Sequence, residues 1–225
     1  VEGGAGQEPL TVRAGDYVRL ALYWQATSPP ATNYHAFVHL LDVAGQPLVQ
    51  EDQLPGPLFQ PPRLWDAYTL WPDVYLLRIP DDAESGLYWP AVGVYDFADL
   101  QRLPVYSGVE SEARDDLRLP PLKVLGKGRA QPSERLDYRL GEFARLSGYD
   151  LEPSSDRIRA GQTLTVTLYY ESVSPADREL IRFLQLHNPK AGVVAQHDAP
   201  PQQGANPVWA WLPGETILDR VTLTV

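Results

Sequence analysis

The side chains best suited to chemistry in this chain are four histidines and a recurring set of aspartates, because cysteine is absent. Without thiols there is no disulfide, no thiolate metal site and no cysteine nucleophile. His35 and His39 are four residues apart. On a helix that spacing could hold a metal, but on a strand, at about 3.3 Å per residue, it places them roughly 13 Å apart. No His-Glu-x-x-His motif exists, and His187 and His197 add no ligand spacing. These residues are expected on strand faces, with no metal and no cofactor. Asp52 and Asp198, and likewise Asp73 and Asp219, occupy matching places in two halves of the chain. Paired carboxylates could hydrolyse glycosides. Recurrence at one structural place instead points to a shared fold role, and all four are expected to anchor turns, by accepting backbone N–H bonds there or by pairing with an Arg. No Gly-x-Ser-x-Gly elbow occurs, and Gly126-Lys127-Gly128-Arg129 lacks the phosphate-loop spacing. No catalytic residue is assigned, and no enzyme is expected.

The aromatic residues are the stronger binding candidates. Trp65, Trp71, Tyr88, Trp89, Trp209 and Trp211 fall near proline-rich loops and strand ends, where exposed rings could stack on sugar faces. Trp209 and Trp211 would share a face if their segment were extended. The expected ligand-binding residues are Trp71, Trp89, Trp209 and Trp211. Trp65 and Trp211 recur in the two halves, which favours core packing for that pair. Trp71 and Trp209 align with Ile217 and Arg63, leaving those two as the better ligand candidates.

The elements that must position these residues are written twice. Arg13-Ala14-Gly15 returns 146 positions later as Arg159-Ala160-Gly161, and the same offset pairs Leu22-Tyr23 with Leu168-Tyr169 and Phe37 with Phe183. About a quarter of roughly 67 aligned positions are identical, and a period this long means repeated domains, not solenoid turns. Copy one is expected over 1–126, a linker over 127–142 where the sequence turns polar, and copy two over 143–225. Copy one continues for about 45 residues beyond the position aligned with Val225, so copy two is expected to lack its last strands. The chain reads as a fragment, and an unpaired edge in copy two would invite strand addition.

Within each copy the pattern is β. Val18, Leu20, Leu22 and Trp24 alternate on one face, and Leu164–Tyr170 repeats this with threonine between the apolar residues. Further strands are expected over 34–41, 47–52 and 74–79, and at their counterparts over 180–187, 193–198 and 217–225. With 22 prolines and 17 glycines between them, these short strands imply tandem antiparallel β-sandwiches, Ig-like or carbohydrate-binding-module-like. The formal charge of −10 argues against nucleic acid and anionic membrane surfaces. No apolar run approaches the roughly 18 residues of a membrane span.

Several motifs together resemble a known family, a β-sandwich module at the soluble C-terminal ends of bacterial membrane glycosyltransferase-like (mannosyltransferase-type) proteins. They are Gly148-Tyr149-Asp150-Leu151, Arg13-Ala14-Gly15, Leu22-Tyr23-Trp24, Phe37-Val38-His39-Leu40, Gln50-Glu51-Asp52, Trp211–Glu215 and Gly86–Asp96 with Arg102-Leu103-Pro104. Copy one departs at Trp65-Asp66-Ala67, where the Pro-Gly-Glu turn is lost. The resemblance implies an extracytoplasmic, non-catalytic accessory or binding module of a larger cell-envelope protein. The partner it implies is an oligosaccharide or another envelope protein. The alternative is a structural spacer or assembly domain completed by strand addition.

Overall fold

The computed structural model describes residues 9–106, 112–128, 131–154 and 157–225. Among them the fold is all-β, with fourteen strands and three 3₁₀ turns. It divides into two compact units, Val1–Gly126 and Lys127–Val225, each of β-sandwich class.

In the first unit, β2 (Tyr17–Gln25) pairs antiparallel with β5 (Leu70–Arg78) to form one sheet. The facing sheet runs β1 (Leu10–Arg13), β8 (Leu122–Leu125), β6 (Gly86–Tyr95), β3 (His35–Leu41) and β4 (Pro47–Gln53), with β7 (Leu117–Arg118) also on β6. The β1–β8 pair is parallel. The alternation read from Val18–Trp24 holds: Val18, Tyr75 and Leu77 from one sheet pack against Ala36, Val38, Leu40, Val92 and Val124 from the other. Strand β3 is central and fully paired, which is why it reads as a nearly continuous apolar run.

In the second unit, one sheet runs β14 (Thr216–Thr224), β11 (Thr163–Ser172), β10 (Ala144–Glu152) and β9 (Glu134–Leu140). The other is the hairpin of β12 (Arg182–Asn188) and β13 (Gly192–Ala199). Leu164, Val166, Leu168 and Tyr170 of β11 form the core with Ile217 and Trp211, and Leu184 and Leu186 pack against it half-buried.

The 146-residue repeat recurs in strand register and in turn bonds. Tyr17 lies opposite Arg78 and Thr163 opposite Thr224, while Phe37 faces Asp52 and Phe183 faces Asp198. Even the register shift at Leu40/Leu41 recurs at Leu186/His187. The Arg-Ala-Gly turns match too: Asp16 N–H donates to the Arg13 carbonyl, and Gln162 N–H to that of Arg159, both at 3.0 Å.

The expected linker over 127–142 is a correction. Residues 134–140 form β9 and pair with β10. Leu136, Tyr138 and Leu140 alternate with Arg135, Asp137 and Arg139, a period of two hidden by the charge of the alternate positions. Arg129 and Ala130 of that stretch, and so the end of the Gly-Lys-Gly-Arg motif, lie outside the described residues.

Gly93 sits on β6 directly opposite Phe37, and a Cβ built there would stand 2.3 Å from the Phe37 ring edge. The close approach of that ring to the β6 backbone is possible only because the side chain is missing. Gly93→Ala is expected to destabilise the protein by about 1–3 kcal/mol through overpacking, and Phe37→Leu in the same chain to recover part of the loss. Urea unfolding of the single and double variants measures both.

Candidate functional site

Four arrangements decide what the candidate residues do, and the first is a tryptophan clasp. The connections after β4 and β13 each end in a 3₁₀ turn, Pro62–Leu64 and Val208–Ala210. Prolines 61 and 207 precede these turns, with fixed φ angles suited to that place. Each turn delivers a tryptophan inward. The Trp65 indole N–H donates to the Gln60 carbonyl and that of Trp211 to the Asn206 carbonyl, both at 2.8 Å. Tyr170 and Phe143 pack on the Trp211 ring, with centroids 5.6 and 6.0 Å away.

The second arrangement is a buried carboxylate bridging the two sheets of each unit. Asp73 accepts the Trp24 indole N–H at 3.0 Å, the Gln53 side-chain amide at 2.7 Å and the Val74 backbone N–H at 3.0 Å. Asp219 accepts the Arg182 guanidinium at 2.9 Å and the Gln202 backbone N–H at 2.8 Å. Both carboxylates are buried. Burial together with the Asp73 charge raises the Tyr75 phenol pKa; burial and the Asp219 charge do the same at Tyr170. Asp73 and Asp219 lie mid-strand on β5 and β14 and fasten sheet to sheet, which corrects the turn-anchor expectation for Asp73. Asp219 does also brace a turn, since Gln202 adopts a left-handed φ of 49° there. Asp52 is a strand residue of β4, 3.0 Å from the His39 ring nitrogen, and Asp198 is exposed on β13. Both lie within strands and not at turns, which corrects the turn-anchor expectation for them.

The third arrangement concerns the remaining aromatic and histidine candidates. Trp211 is 1% exposed, so it has no face to offer a ligand. Its segment is a 3₁₀ turn and not extended, so Trp209 points outward, 41% exposed, while Trp211 points in. Trp71 stacks on Trp65 at 5.7 Å with the rings 16° apart, and its buried indole N–H has no hydrogen-bond partner among the described residues. Trp89 lies half-buried on β6 opposite Leu41. The structure does not gather these four rings into one site. His35 stacks on Phe97 at 4.5 Å, His197 lies 3.3 Å from Arg182, and His187 is exposed. Among the described residues, no group of three or more His, Asp or Glu is placed to hold a metal.

The fourth arrangement is a surface that sequence reading missed. The outward face of the β2–β5 sheet carries Tyr17, Ala21 and Tyr23 beside Leu70, Val74 and Leu76, interspersed with Arg19, Gln25, Pro72 and Arg78, all exposed. The matching positions on β11 and β14 are Thr163, Thr167 and Tyr169 beside Thr216, Arg220 and Thr222. Tyr23 is 69% exposed whereas its repeat partner Tyr169 is 3% exposed, covered where β10 joins the sheet. Setting copy against copy residue by residue would have exposed the contrast.

No protein-family model matches the chain, and no curated protein sequence matches it.

Removing either buried carboxylate tests their bridging role. Asp219→Ala leaves the Arg182 guanidinium enclosed without its counter-charge and is expected to cost about 3–5 kcal/mol. Asp73→Ala leaves neutral donors, so its loss should be smaller, about 1–3 kcal/mol. Denaturant midpoints rank the two directly.

Proposed function

We propose that the chain is a non-catalytic accessory module that docks a protein partner through the outward face of the β2–β5 sheet. One observation carries the reading. The same fold, in the same register, has threonine at most of the corresponding places in the second unit. The sandwich therefore does not require Tyr17, Leu70, Val74 and Leu76 to be apolar. Exposed apolar side chains that folding does not demand, gathered on one face around Arg19 with Arg78 and Gln25 at its ends, make the kind of surface that marks protein association.

Charge supports a protein over a polyanion as the partner, since the chain is formally −10 and would repel nucleic acid or an anionic lipid surface. The extracytoplasmic setting, within a larger envelope protein, is supported by the resemblance to the glycosyltransferase-associated module. Glycan recognition through the tryptophans has the weaker support. Such a site would present near-coplanar exposed rings beside polar groups, and of the four candidates only Trp209 is substantially open.

Carbene footprinting of the chain, purified and in intact source cells, tests the docking face. Tyr17, Tyr23 and Leu76 should label strongly when purified and several-fold less in cells. Thr222 and Thr224 should label equally in both settings. Equal labelling of the β2–β5 face in the two settings contradicts the reading.

A further inference from the structure

One end of the first unit carries side chains that its fold does not ask for. The register of Gln53 with Ala36 and of Tyr95 with His35 brings the ends of β4 and β6 to the start of β3. The connections that leave there, 54–69 and 96–101, hold Leu58, Phe59, Leu64, Tyr68, Phe97 and Leu100, all exposed. Leu58 is 90% exposed and Phe59 84%, so both stand proud of the surface and line no cleft. The connections are braced all the same. Gln60 N–H donates to the Pro57 carbonyl at 2.8 Å, across the turn that presents Leu58 and Phe59, and Leu100 N–H to the Asp96 carbonyl at 2.8 Å.

The repeat marks these residues as additions to a shared loop. At the 146-residue offset, Leu58, Phe59, Leu64 and Tyr68 correspond to Gly204, Ala205, Ala210 and Gly214. The backbone is kept: Tyr68 N–H donates to the Ala26 carbonyl at 2.7 Å, and Gly214 N–H to that of Ser172 at 2.8 Å. Tyr68 has a left-handed φ of 63° where Gly214 has 79°, and Leu100 is left-handed too, at 61°. A bulky side chain is strained in that conformation and glycine is not. Tyr68 and Leu100 are therefore held at a cost to folding and exposed to water, which points to a contact outside the chain.

We propose that this end of the first unit inserts its apolar loop tips into the interfacial layer of a zwitterionic lipid bilayer. Protein hot spots favour Trp, Tyr and Arg and disfavour Leu, whereas Leu and Phe are residues that embed peripheral elements in lipid. Five of the six side chains are Leu or Phe, and a protruding tip needs no matching pocket in a bilayer. The amphipathic Tyr68 ring suits the headgroup level. From Gln53 to Trp65 the only charged side chain is Arg63, in a chain with 29 acidic residues. Asp96 and Asp99 turn to backbone N–H groups of their own loop. The formal charge of −10 opposes an anionic surface but not a zwitterionic one. This goes beyond the docking proposed for the β2–β5 face, and either can fail without the other.

The test uses the full 225-residue chain and phosphatidylcholine vesicles, with flotation as the readout. Partitioning is expected at about 0.1–1 mM lipid, near that of a single acyl anchor. Leu58→Ser combined with Phe59→Ser should lower the partition coefficient about tenfold or more. Tyr68→Gly should weaken partitioning about threefold or more while leaving the urea midpoint unchanged or raising it, so that lost binding is not lost folding. Because the chain has no cysteine, a fluorophore can be attached at Leu58→Cys alone. Doxyl-labelled lipid should quench it, and should spare the same label at Val43→Cys in the exposed β3–β4 turn at the opposite end. Three results overturn the proposal: no partitioning up to about 10 mM lipid, equal partitioning of the native and doubly substituted chains, or equal quenching at the two labelled positions. Carbene protection of Leu58 and Phe59 in source cells, without vesicle binding, also overturns it and would assign this end to a protein.

Discussion

Each unit is built around a carboxylate that has been taken out of water. Burying an ionised side chain costs several kcal/mol unless donors surround it, so the strands that bring those donors are constrained together. Asp73 needs Trp24 from its own sheet and Gln53 from the facing one; Asp219 needs Arg182 from the facing sheet and the Gln202 backbone. The position is kept and the donors are exchanged. In place of Arg182 the first unit has Ala36, and in place of Gln53 the second has Ala199. A sandwich can be fastened at one point by either a neutral or a charged partner, provided that the carboxylate's oxygens are met.

Once the inner face and the tryptophan clasp are fixed, the outer surfaces are free to diverge. The β2–β5 sheet has Tyr17, Leu70 and Leu76 outside where the β11–β14 sheet carries threonine, on the same register. The β3 and β12 pair shows the converse, because the residue type is kept as phenylalanine while its cover differs. Comparing a repeat with itself thus separates residues that the fold requires from residues that it tolerates. The proposed docking roles rest on the second group.

Much of the fold was legible from period and repetition. The alternation at Val18–Trp24 and Leu164–Tyr170 placed β2 and β11, and the 146-residue offset carried over to strand register and turn bonds. Strand β9 was not legible, because an exposed edge strand with Arg135, Asp137 and Arg139 outside looks like a polar linker. The site was harder. Trp209 and Trp211 share a face only if the backbone is extended, and the local 3₁₀ turn reverses that. Asp73 and Asp219 were read as turn anchors, since one-dimensional spacing does not reveal which carboxylate faces another sheet. The exposure of Phe183 was not legible, because its alignment with Phe37 says nothing of what lies across the edge.

The measurement that bears most directly on this account is residue-resolved amide hydrogen exchange, comparing β3 with β12 in one protein. If the two units share a fold but differ in edge pairing, β3 amides exchange only through global unfolding of their unit. The β12 amides on the edge that no strand pairs among the described residues would then exchange orders of magnitude faster, while those bonded to β13 stay protected. Protection of the β12 edge amides to the level seen across β3 would contradict the account, since it would mean that the edge is already paired.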